Sequence, residues 1–177
     1  MNPLPIDADE KVRRHIDALF GPGVSDALPS KDIQFEFSRR TGRIKNFSIG
    51  GRLIATLRTD GGLALTIFGA QYFLDNENNE GSSNNNNSSK RQFRENCVLP
   101  LQEAVPFVSQ GRSLFCKHVL WCGSNVKVGS DVAVIDNDDK VIAVGVAVLP
   151  YKLINQYGRG VAVKCREGLS SRQVAAT

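Results

Sequence analysis

A polar stretch at residues 75–92, DNENNEGSSNNNNSSKRQ, holds no apolar residue and interrupts an otherwise mixed chain of 177 residues. Nothing in it can offset the entropy lost on ordering its backbone, so it is expected to be a flexible loop or linker. A chain of this length suits one ordinary domain or two small ones, and the interruption favours two. The expected division is an α+β module over 1–74, a linker over 75–95, a second domain over 96–170 and a tail over 171–177.

The first segment changes period along its length. Residues 7–20 predict a helix, with Val12, Ile16, Leu19 and Phe20 on one face and Lys11, Arg13, Arg14 and Asp17 turned largely to water. Asp7 with Glu10 three residues on is a capping-box-like start, and Gly21-Pro22-Gly23 is a stop. From Ile33 the period falls to two, as Ile33, Phe35 and Phe37 alternate with Gln34, Glu36 and Ser38. Further strands are expected at 43–49, 52–58 and 63–68. Thr41-Gly42, Gly50-Gly51 and Asp60-Gly61-Gly62 mark the turns. The result is an antiparallel meander with the first helix packed on one face.

Beyond the interruption, residues 99–110 predict a short helix that Pro106 disturbs and Gly111 ends. Strands follow at 114–120, 131–135, 140–147 and 160–166. Val161, Val163 and Cys165 share one face of the last. Short strands punctuated by Gly and Asp turns favour a small β-barrel with one or two helices.

Three pieces of this second segment resemble the PUA domain. Gly111-Arg112-Ser113-Leu114-Phe115-Cys116-Lys117-His118-Val119 is similar to that family's glycine-ended helix and following strand. Val128-Gly129-Ser130-Asp131-Val132-Ala133-Val134-Ile135-Asp136 resembles its G-D-x-V-x-V-x-D strand, with Ser130 inserted where Gly and Asp are usually adjacent. Residues 141–147 and 159–164 resemble the two closing strands. The stretch from Glu103 to Val119 is most similar to the C-terminal region of archaeal tRNA-guanine (archaeosine) transglycosylase. Residues 38–44 and 53–58 resemble the small module that precedes the PUA domain there. That enzyme's catalytic barrel has no counterpart in this sequence.

The resemblance implies an RNA-binding protein without catalysis, recognising structured RNA and above all tRNA at its acceptor stem and CCA end. It would act alone or with a separate tRNA- or rRNA-modifying catalytic subunit. It further implies that Gly111, Arg112, Ser113, Lys117 and His118 line the RNA groove, with Arg159 and Lys164 extending it. Arg112 and Lys117 carry charge suited to phosphates, and amides near Gly111 can donate to phosphate oxygens. His118 can reach a ribose or stack under a base. Arg39, Arg40, Arg43, Lys45 and Arg52, with Arg58 nearby, make a second basic patch if they share one face. A net charge of +4 fits a polyanionic ligand.

Other functions leave little trace. Cys116 and His118, two apart on one expected strand, would face the same way, but no nucleophile motif accompanies them. Cys97, Cys116, Cys122 and Cys165 lack the paired knuckles of a zinc site, so no metal or cofactor is expected. Trp121 is expected to cap the barrel core, with an exposed contact as the alternative. Neither an apolar leader nor a run long enough to cross a membrane appears, and a cytoplasmic protein with reduced thiols is expected. The rival reading is a protein-interaction scaffold that touches no RNA.

Overall fold

The structure is a computed structural model and describes residues 7–77 and 93–171. Expectations for residues 1–6, 78–92 and 172–177 lie outside the described residues.

Helix α1 runs over Ala8–Phe20 and buries Val12, Ile16 and Phe20. Asp7 stands at the N-cap but makes no side-chain capping bond. Glu10 pairs instead with Arg14 one turn on, a partner that stays within reach on the same helix face. Gly21, at φ 120°, ends the helix, its amide donating to the Asp17 carbonyl at 3.0 Å. Arg13 departs from expectation. Its guanidinium donates to Asp9 at 2.7 Å and to the carbonyls of Ser25 and Pro29 at 3.0 and 2.6 Å. It thereby ties α1 to the chain that follows rather than pointing into water.

Strands β1 (Ile33–Phe37), β2 (Ile44–Ile49), β3 (Arg52–Leu57) and β4 (Leu63–Leu65) form an antiparallel sheet in that order. Gly50 and Gly51 both take positive φ, as a tight two-residue hairpin turn requires. The strand expected over 63–68 stops at Leu65. The Thr66 hydroxyl accepts from the Gly69 amide at 2.9 Å and starts helix α2, Ile67–Asn76. This helix is apolar on most sides because it is covered on most sides, so no amphipathic period announced it. It carries order into the first residues of the polar stretch.

The second sheet comprises β5 (Cys97–Pro100), β6 (Leu114–Phe115), β7 (Val119–Cys122), β8 (Asp131–Ile135), β9 (Val141–Ala147) and β10 (Val161–Gly168). Its order is β6-β10-β9-β8-β5-β7, antiparallel except for β5 with β8. The two edge strands, β6 and β7, follow one another in the chain across a single 3₁₀ turn, Cys116–His118. The sheet therefore has to curl until its edges nearly meet, giving an almost closed barrel. The helix expected over 99–110 is shorter: its start belongs to β5, a 3₁₀ turn covers Gln102–Ala104, and α3 is Val105–Ser109 with Pro106 in its first turn. Helix α4, Tyr151–Tyr157, was not expected.

Every residue of β8 is buried. Val132 and Val134 face the barrel core, while Ala133 and Ile135 face a second core with Phe47, Ile54 and Phe73 from the first module. One barrel wall thus serves two cores, which is why β8 reads as an unbroken apolar run. Phe93 is buried between Phe20 and Phe73, each 5.5 Å away centroid to centroid. Residues 93–95, expected to be linker, are thereby part of the packed body. Trp121 rests against this second core with Arg94 over its ring, rather than inside the barrel.

Polar bonds cross the same seam. The Asn96 amide donates to the Phe20 carbonyl at 2.8 Å, and Asn125 donates to Leu19 at 3.2 Å and to Asn96 at 2.6 Å. These fill helix-end carbonyls of α1, whose last turn has no basic residue. Asp131, almost wholly buried, accepts from Arg58 of the first module at 3.1 Å and from Arg166 of β10 at 2.8 Å. Arg166 also reaches the Leu65 carbonyl at 2.7 Å. Burial pushes the Asp131 carboxyl above its ordinary range, with the two arginines pulling against it.

Candidate nucleic-acid interface

The expected groove starts at the end of α3. Gly111, at φ 86°, turns the chain and donates to the Val108 carbonyl at 2.8 Å. The turn lies directly on the end of β10. A Cβ on Gly168 would stand 2.3 Å from both the Gly111 amide nitrogen and the Ser109 oxygen, so only glycine fits there. The Ser170 amide donates to Ser109 at 2.8 Å and completes the joint. Gly111 is half-buried by this contact rather than openly displayed.

From that joint the chain enters β6, which pairs with β10 through Leu114 with Val163 and Phe115 with Val161. At the far end the Cys116 amide donates to the Gly160 carbonyl at 2.9 Å. This ladder collects the sequence-named cations in two pairs. Arg112 and Lys164 flank the Leu114–Val163 end, and Lys117 and Arg159 flank the Cys116–Gly160 bond. The ends are about 10 Å apart by strand rise. All four side chains are exposed, and none makes an ion pair with any described residue. Two aromatic rings stand among them: Phe115 is 46% exposed, and Phe107 is 54% exposed with the Arg112 guanidinium 5.8 Å from its centroid. Sequence reading did not single out these rings. The available signal was alternation, since Leu114 inward leaves Phe115 outward.

Ser113 is half-buried beside this ladder. His118 is oriented by Glu103, with Nδ1 3.1 Å from the carboxylate, and its carbonyl accepts from the Leu101 amide at 2.7 Å. The expectation that Cys116 and His118 share a strand face is overturned. They lie in a 3₁₀ turn, where positions two apart point in different directions, and Cys116 is buried while His118 is partly exposed. Burial raises all four thiols, Cys165 to about 11 and Cys122 to about 12. These side chains therefore behave as core hydrophobes. Among the described residues no cluster of three or more His, Cys, Asp or Glu could hold a metal ion.

The second basic patch divides. Arg39, Arg40 and Arg43 sit together, exposed, in the turn between β1 and β2. Lys45 is paired with Glu36 at 3.0 Å. Arg52 stands at the opposite end of β2, roughly 20 Å away by strand rise, with its guanidinium 3.5 Å from the centroid of Phe68. Arg58 is bonded to Asp60 and Asp131. The inserted Ser130 closes its turn: its hydroxyl donates to the Lys127 carbonyl at 2.7 Å and accepts from the Lys127 amide at 3.0 Å. No helix among the described residues is long and apolar enough to cross a membrane.

Comparison with known proteins bears on the two modules. Residues 101–169 match the PUA domain, and residues 10–77 match the patch-forming domain C2 of tRNA-guanine transglycosylase. The tRNA-guanine(15) transglycosylase of Methanobrevibacter smithii is 30% identical over 161 residues, which is 90% of this chain and 22% of that protein. The chain thus spans about a fifth of the length of that relative. A conserved PUA domain protein from Thermoplasma acidophilum superposes with a TM-score of 0.60 at 16% identity, covering 96% of each chain. A hypothetical protein from Pyrococcus horikoshii gives 0.69 at 18% identity, covering 99% of this chain and 98% of that one. The two module matches and the nearly closed barrel agree: residues 101–169 of this chain are a PUA domain, and residues 10–77 are a domain of the transglycosylase C2 type.

Proposed function

We propose that the protein binds structured RNA, tRNA in the first place, along the β6–β10 ladder, and that it does so without catalysing a reaction on it. The observation that carries this reading is the set of four exposed cations, Arg112, Lys117, Arg159 and Lys164, without an ion-pair partner among the described residues and spaced along one ladder with Phe107 and Phe115 beside them. Cations of this kind neutralise phosphates, and exposed aromatic rings offer a face to an unstacked base. His118, held by Glu103, would meet a ribose hydroxyl. The finer assignment is the acceptor stem with its terminal CCA, bound by a stand-alone or recruiting subunit in the cytoplasm. The free thiols suit a reducing compartment.

The test is filter retention or anisotropy of labelled tRNA across a salt series. Four phosphate contacts give a slope of log K against log salt of about −3. Removal of the 3′ CCA is expected to weaken binding about tenfold. Retention that is absent, or present without salt dependence, sinks the reading. A protein-docking role has one observation in its favour. Val128 and Val148 are exposed and neighbour each other across the bond from the Gly129 amide to the Ala147 carbonyl. A separate catalytic subunit seated there would be compatible with RNA binding, whereas a pure scaffold would leave tRNA unbound.

A further inference from the structure

Among the described residues the most exposed large hydrophobic side chain is Val128, at 66%. It sits in the turn that leads into β8, and that turn is closed. The Ser130 hydroxyl accepts from the Lys127 amide and donates to the Lys127 carbonyl, and Gly129 takes φ 79°. Ser130 is the residue at which the sequence departs from the PUA pattern, so the clasp is built from that departure. Two further bonds tie the turn to the end of β9. The Gly129 amide donates to the Ala147 carbonyl at 2.8 Å, and the Ala147 amide donates to the Ser130 carbonyl at 2.9 Å. Val148, 42% exposed, follows directly, and the Tyr151 amide donates to the Val126 carbonyl at 3.0 Å. Val128 and Val148 are thus held side by side on a braced turn.

The charge around them has one sign. Lys127 and Lys152 are exposed and make no ion pair with a described residue. The sequence holds no Asp or Glu from Ala104 to Ser130 or from Val141 to Arg166, the stretches that supply this turn, α4 and the neighbouring strands. Aliphatic side chains gain by leaving water and offer no ring for a base to stack on, so they suit a protein surface rather than RNA. A second copy is disfavoured, because a two-fold contact would set these lysines against their own counterparts. We propose that the 127–130 turn, with Val148 beside it, is a docking knob for another protein, one that offers an apolar hollow rimmed by carboxylates. The inference rests on the recruiting-subunit reading and gives the partner's surface its chemistry. β9, which Val148 follows, lies two strand spacings, about 10 Å, from β6. A protein seated on the knob therefore lies beside RNA held on the ladder.

The experiment uses the full chain carrying Val128→Cys, labelled with a benzophenone maleimide. Burial raises the four native thiols and spares them from the label. Irradiated in an extract of its own host, the labelled chain is expected to give one protein adduct whose cross-linked peptide sets apolar residues between Asp or Glu residues. That protein, purified, is then the probe. Val128→Asp, and separately Lys127→Glu with Lys152→Glu, are each expected to weaken its binding about tenfold, while tRNA retention stays at the wild-type level and reports that the variants fold. Cross-links to RNA alone would give the turn to the nucleic acid, and cross-links to a second copy would make it a self-association surface. Either result overturns the proposal, as does the absence of any adduct or a probe bound equally well by wild type and the charge-reversed variant. A charge-sensitive protein adduct on a chain that retains no tRNA would sink the RNA-binding reading and leave the docking knob standing.

Discussion

Arginines at the seam between the two modules and cations on the β6–β10 ladder are chemically alike, but their surroundings give them opposite roles. Arg58 and Arg166 converge on the buried Asp131, and Arg13 fills three backbone carbonyls. Their hydrogen-bonding capacity is taken up by the fold. Arg112, Lys117, Arg159 and Lys164 meet no carboxylate among the described residues and keep their charge available. A net charge of +4 therefore says little about binding until pairing has been assigned. Exposure without a partner, not basicity, marks the candidate surface.

The sharpest way to break this contrast is at the seam. Asp131→Ala leaves Arg58 and Arg166 facing a partly buried gap and is expected to cost about 2–4 kcal/mol, read from urea unfolding midpoints. Paired with Arg58→Ala in a double-mutant cycle, the losses should be clearly less than additive. Additive losses would mean that the carboxylate does not join the modules. Next in size is Gly168→Ala. Its Cβ would collide with Gly111 and Ser109, so a loss of about 1–3 kcal/mol is expected, together with weaker tRNA binding because the α3 turn is displaced. Ladder variants should behave in the reverse way. Arg112→Ala and Lys117→Ala are each expected to change stability by less than about 0.5 kcal/mol while each lowers the salt slope of tRNA binding by about one.

The smallest effect concerns pH. Burial holds the folded-state pKa of Asp131 above its unfolded value, against the pull of Arg166 and Arg58. The native state thus binds a proton at a pH where the unfolded chain does not. On falling pH this group adds stability through the window from its raised pKa down to the ordinary value of 3.8. Comparing urea midpoints of wild type and Asp131→Asn over that window should show wild type gaining on the variant. The opposite trend would show the arginines outweighing burial.

Much of the architecture is legible along the chain. The spacing of Val12, Ile16 and Phe20 announces α1, period-two alternation announces the meander, and Gly50-Gly51 announces its central turn. The ladder cations could be named from a family resemblance, and they lie at or beside the ends of two paired strands. Features with no local signature were missed. Helix α2 is covered on most sides and shows only a narrow polar face at Gln71 and Asp75, too short to set a period. The break between β6 and β7 exists because the barrel closes there, a requirement invisible from residues 114–120 alone. Phe37, expected to be half-buried, is exposed because it is the last residue of an edge strand, where no further strand covers it.

Local sequence determined α1, the meander strands and their turns, because hydrophobic period and glycine conformation act over a few residues. Tertiary structure alone decided which charges are neutralised. Arg58 meets Asp131 across 73 positions and Arg166 meets it across 35. Electrostatic pairing depends on distance in space, and only the packing of two cores onto a shared β8 wall brings those groups together while leaving the ladder and the β1–β2 turn open to solvent.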